Sequence, residues 1–110
     1  MRLVTAIALA AGLFWAGPAA ACTWPAPGEV LAGCRAECHR TLAAEPQKKA
    51  CGRACRQAAG RYAAWAARPC DFLNQGACSA DLEARGEKAG LPGQIAWGLV
   101  AKHGCLGEKD

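Results

Sequence analysis

Two Cys-x-x-x-Cys units, Cys34-Arg35-Ala36-Glu37-Cys38 and Cys51-Gly52-Arg53-Ala54-Cys55, constrain this chain more than any other feature. Residues four apart on an α-helix share a face and lie about 6 Å apart along the axis. Each unit, if helical, therefore points two sulfurs in one direction. Between the units stands Glu45-Pro46, and the residue before a proline is pushed away from helical geometry. If the chain reverses near Ala44 and Glu45, Cys38 faces Cys51 and Cys34 faces Cys55. The expected fold class is all-α: a small disulfide-stapled antiparallel helical hairpin followed by a shorter helical pair.

The start of the chain sets the compartment. Met1-Arg2 is a positive n-region, Leu3 to Gly17 is apolar, and Ala19-Ala20-Ala21 is a small-residue cleavage site. Residues 1–21 thus read as a signal peptide rather than a membrane anchor, because the run is short and Gly17-Pro18 carries no basic stop-transfer flank. Cleavage leaves Cys22 first, as in bacterial lipoproteins, but their signals usually carry Leu three residues earlier, where this chain has Ala19. Lipidation of Cys22 is disfavoured on that ground. The mature chain is expected to be soluble and periplasmic or secreted, with residues 22–110 forming a single disulfide-rich domain.

All 8 Cys lie beyond the leader. An even count in a short exported chain signals a disulfide framework. Large apolar residues are few after Ala21, and so thin a core needs covalent help.

Reading onward, Pro25 and Pro27 favour an extended lead-in, followed by a first helix over about Glu29 to Ala43. Its stripe is Leu31, Cys34, Cys38 and Leu42. The second helix spans about Gln47 to Arg68, with Cys51, Cys55, Ala58, Tyr62 and Trp65 on one side and Lys49, Arg53, Arg56, Arg61 and Arg68 on the other. Pro69 ends it. Asp71 to Ala77 reads as a loop around Asn74-Gln75-Gly76, and Ser79 as the cap of a short helix to about Lys88. A last helix over about Gln94 to His103 closes at Gly104. In this layout Cys22 comes near Cys70 and Cys78 near Cys105, one of three connectivities open to four cysteines.

The twin units resemble the pattern of helical-hairpin proteins such as the plant α-hairpinin defence peptides and the small chaperones of the mitochondrial intermembrane space. The resemblance covers about residues 30–60. It implies the hairpin and the nested pairing of Cys34 with Cys55 and Cys38 with Cys51. Those families share no single function, so only connectivity carries over.

Charge is uneven along the chain. Cys34 to Arg68 holds Arg35, Arg40, Lys48, Lys49, Arg53, Arg56, Arg61 and Arg68 against Glu37 and Glu45, whereas acidic residues outnumber basic ones from Pro69 onward. A basic helical surface of this kind suits a protein partner or an anionic surface, with membrane contact as one form of it. The bland alternative is a solvated face that keeps an Ala-rich hairpin in solution. No nucleic-acid motif is present. The contact surface expected from sequence is Lys49, Arg53, Arg56, Arg61 and Trp97; Trp97 stands opposite Ile95 and Leu99 on the last helix, where it either packs against the hairpin or marks an exposed contact. Nothing in the sequence sets the oligomeric state.

Other chemistries compete for the same residues. Cys34 to Cys38 followed by His39 resembles the haem-attachment motif of c-type cytochromes in a longer spacing, with His103 as the second axial ligand. That reading strands Cys51 and Cys55. Four thiolates would also make a tetrahedral zinc or copper site, against which an oxidising compartment argues. Neither cofactor nor metal is expected. Catalysis is not expected either: no Cys-x-x-Cys unit is present, Ser79 is the only Ser, and His39 and His103 lack an evident nucleophile. The expected function is an exported small cysteine-rich binding, inhibitory or accessory protein, with a small c-type cytochrome and a membrane-active toxin-like peptide as alternatives.

Overall fold

The computed structural model describes residues 22–108, which are helical with no strand among them. The signal peptide expected at residues 1–21 and the last two residues, 109–110, lie outside that range. Four helices follow in order: α1 (Pro27–Thr41), α2 (Glu45–Ala66), α3 (Phe72–Glu87) and α4 (Leu91–Val100), the last running into a π-helical turn at Ala101–Cys105. Pro27, Pro46 and Pro92 each occupy the first turn of a helix, where the missing N–H costs nothing and the fixed φ is already helical. None of these helices is long and apolar enough to cross a membrane.

α1 and α2 form the expected hairpin. Bridges join Cys34 to Cys55 and Cys38 to Cys51, with Cα atoms 5.8 and 5.9 Å apart. Helix axes ordinarily pack 8–10 Å apart, so such bridges need slim neighbours. Ala54 and Ala58 beside them are buried, and the four sulfur-bearing residues are at most 1% exposed. Two further bridges, Cys22–Cys70 and Cys78–Cys105, both with Cα atoms 5.5 Å apart, fasten the lead-in to the end of α2 and α3 to the π turn.

The core is covalent as much as apolar. Its large members are Val30, Tyr62, Leu82, Trp97 and Val100; the rest are cysteines and alanines. Tyr62 is fully buried at the open end of the hairpin, where its hydroxyl donates to the Pro25 carbonyl at 2.5 Å. Trp24 caps the same end, edge-on to Tyr62 with centroids 6.0 Å apart, and its Nε1 donates to the Arg68 carbonyl at 2.7 Å.

The loop expected over Asp71 to Ala77 is helix instead. α3 begins at Phe72, and Asp71 is its N-cap, accepting from the Asn74 N–H at 2.7 Å. Four orphan N–H groups at a helix start outweigh a weak turn signal. Asn74 serves the cap, its Nδ2 donating to the Pro69 carbonyl at 2.8 Å. Ser79 lies within the helix, its Oγ 3.4 Å from the Glu83 carboxylate, and caps nothing.

Candidate functional site

Lys49, Arg53 and Arg56 recur at spacings of three and four along α2 and are exposed, on the flank away from buried Cys51, Ala54 and Cys55. α1 presents Arg35 and His39, four residues apart, along the same seam. Together with Cys38, Glu45, Lys48 and Gly52 these side chains line one groove of about 390 Å³. Cys38, bridged to Cys51, and the bare Cα of Gly52 are the non-ionisable part of its lining, and nothing lies within 4 Å of the missing Cβ of Gly52.

Charge in the groove is one-sided. Glu45 is its only carboxylate and faces Lys48 at 3.7 Å. Arg35, Lys49, Arg53 and Arg56 form no ion pair among the described residues. Arg40, outside the groove, pairs with Glu37.

Two residues of the expected contact surface sit elsewhere. Arg61 turns toward α3, where its Nε donates to Asp81 at 2.8 Å. Asp81 also accepts from Trp65 Nε1 at 2.8 Å and from Arg85 Nε at 3.3 Å. The Arg61 hydrogen bond is the main reason that the Asp81 carboxyl is held down to about 2, and burial works against it. The same pairing raises the Arg61 guanidinium above its ordinary value. Arg61 is a brace between α2 and α3. Trp97 is only 9% exposed and rests on Gly86, where an added Cβ would meet its Cβ at 2.9 Å. It is buried with the core, because α4 packs against α2 and α3 as well as α1. Arg68, past the end of α2, sits over the Trp65 ring at 4.4 Å.

The residues of the haem reading are not poised for it. Cys34 and Cys38 are consumed in bridges and carry no thiol for thioether formation. His39 faces the basic groove, while His103 Nδ1 lies 2.6 Å from the Glu108 carbonyl and lines a different hollow with Arg40 and Glu37. Cys34, Cys38 and Cys55 bring their sulfurs within 4.8 Å of one another, as two stacked bridges must, and all three are oxidised.

Sequence reasoning left out Arg35 and Gly52 as groove residues and Asp81 as the hub of a brace. The four-residue spacing of Arg35 and His39 was the available signal for the first. For the link of Asp81 to α2 there was none, because Trp65 and Arg61 lie 16 and 20 residues away on another helix. No family model, no curated protein and no solved structure matches the chain.

Proposed function

We propose that this is an exported, cysteine-rich binding or accessory protein that engages an anionic partner through the basic seam of its stapled hairpin. The observation that carries the reading is the convergence of Arg35, Lys49, Arg53 and Arg56 on one groove without ion-pair partners. Four disulfides suit an oxidising compartment, and a leader at residues 1–21 would deliver the chain to the periplasm or the exterior. The hairpin is then a rigid display, since bridges hold both basic rows in register. No nucleophile with a paired base enters this reading, so a catalytic role is not proposed.

The test is binding of the mature protein to polyglutamate and to anionic phospholipid vesicles at low and high salt. Binding should fall steeply with ionic strength and vanish in the Lys49→Glu, Arg53→Glu, Arg56→Glu triple variant. Binding indifferent to both salt and the triple variant would sink the proposal. A membrane-active role is the second reading, favoured by Phe72 and Leu73, which are 87% and 80% exposed. Dye release from anionic vesicles, lost in a Phe72→Ser, Leu73→Ser variant, would establish it.

A further inference from the structure

Cations that outnumber the carboxylates of one groove repel one another and cost stability. Elsewhere on the molecule Arg40, Arg61 and Arg85 each hold a carboxylate, and Arg68 lies over a tryptophan ring. In the groove Glu45 pairs with Lys48 alone, and Arg35, Lys49, Arg53 and Arg56 have no ion-pair partner among the described residues. We propose that the groove binds a soluble, multiply charged phosphoryl compound, a phosphate ester or anhydride, with Arg35, Lys49, Arg53 and Arg56 supplying the charge and Gly52 the room. This deepens the function proposed above and rests on it.

Three features select that chemistry. Guanidinium groups reach the groove from both helices, Arg35 from α1 and Arg53 and Arg56 from α2, and a planar fork matches phosphoryl oxygens with two parallel hydrogen bonds. A single carboxylate would neutralise one of these charges and leave the rest, whereas a di- or triphosphate brings charge of comparable size. The volume of about 390 Å³ suits a small ligand rather than one ion.

The surroundings favour a soluble ligand over a bilayer. Among the described residues Phe72, Leu73, Leu91 and Leu106 are the exposed large apolar ones, and none of them lines the groove. A membrane-seated surface would set such side chains beside its basic ones. Glu45 is the one opposing charge, and its neighbour Lys48 offsets it at 3.7 Å.

Gly52 permits a test that leaves every charge in place. Nothing lies within 4 Å of its missing Cβ, so a Gly52→Leu side chain starts into open space and extends into the groove. Isothermal titration calorimetry of the disulfide-intact mature chain with inorganic triphosphate at low salt should show saturable binding. Gly52→Leu should weaken it at least tenfold while the circular dichroism spectrum and melting temperature hold or rise. Arg53→Ala should weaken it by about tenfold, the effect of losing one charged hydrogen-bond donor.

Hexaglutamate and vesicles of phosphatidylglycerol with phosphatidylcholine are the comparison arms. Hexaglutamate binding as tightly as triphosphate would overturn the phosphoryl assignment and leave the basic-surface function standing. Vesicle binding that triphosphate fails to displace would do the same. Unchanged triphosphate affinity in Gly52→Leu would remove the groove as the site. Failure of all three probes to bind would overturn both the inference and the function it rests on.

Discussion

The ring of Tyr62 lies against the bare Cα of Gly104, so closely that a Cβ there would stand 2.9 Å from both Cδ1 and Cε1. The two residues come from separate elements, Tyr62 from α2 and Gly104 from the π turn that Cys105 fastens to α3. Gly104 looks in the sequence like a helix terminator, and its structural duty is clearance. The aromatic ring and its hydroxyl bond to Pro25 close the open end of the hairpin only because that side chain is missing.

Gly104→Ala should therefore destabilise the protein by about 1–3 kcal/mol, the usual cost of overpacking a well-filled core. A chemical denaturation midpoint measures it. Gly28→Ala, with nothing within 4 Å of the new methyl group, is the control and should be neutral or mildly stabilising.

Burial pushes the Tyr62 hydroxyl up to about 12 from an ordinary 10.0. The folded state thus holds its proton more tightly than the unfolded chain. The associated stability is fully present below pH 10 and is lost as pH rises toward 12. Tyr62→Phe should start less stable at neutral pH, having left the Pro25 carbonyl without its donor, yet decline less steeply across that alkaline window.

Asp81 gives the opposite signature. Its carboxyl is held at about 2 by Arg61 first, then by Trp65 and Arg85, against an ordinary 3.8. The folded state therefore favours the charged form, and its contribution is present above pH 4 and disappears as pH falls toward 2. Because the brace is partly open to solvent, about 1 kcal/mol is the scale expected. Asp81→Asn should be less stable at neutral pH and show a flatter acid limb in thermal melts between pH 4 and pH 2.

Bridges should differ in worth according to the loops they close. Cys38–Cys51 spans 13 residues and Cys22–Cys70 spans 48. Loop-closure entropy assigns these about 3 and about 4 kcal/mol respectively. Paired Cys→Ala variants should melt in that order, the Cys22→Ala, Cys70→Ala protein being the weaker. Equal losses would show that packing around the sulfurs outweighs the chain-entropy effect.

Much of the scaffold was legible because covalent geometry is periodic. Cys34 and Cys38 on one helix and Cys51 and Cys55 on the next leave a single antiparallel register that satisfies both bridges, and Glu45-Pro46 marks the reversal. The start of α3 was not legible. Asn74, Gln75 and Gly76 are turn residues by propensity, but Asp71 with Asn74 three residues later supplies a cap, and the cap prevails. Of the candidate site, Lys49, Arg53 and Arg56 could be read from helical phase. Arg61 shares their helix but sits at the edge of the basic face, where α3 reaches it with Asp81. For Trp97 the helical phase left packing against the hairpin and an exposed contact both open, and packing on several sides buries it. Long-range partners of this kind leave no trace in local spacing.

The most direct test of the basic groove is an amide NMR titration of the isotope-labelled, disulfide-intact protein with inorganic triphosphate. Saturable shifts should cluster at Arg35, His39, Lys49, Gly52, Arg53 and Arg56, with Phe72, Leu73 and the Asp81 brace unmoved. Shifts centred on Phe72 and Leu73, or a spectrum unchanged at millimolar ligand, would contradict the account.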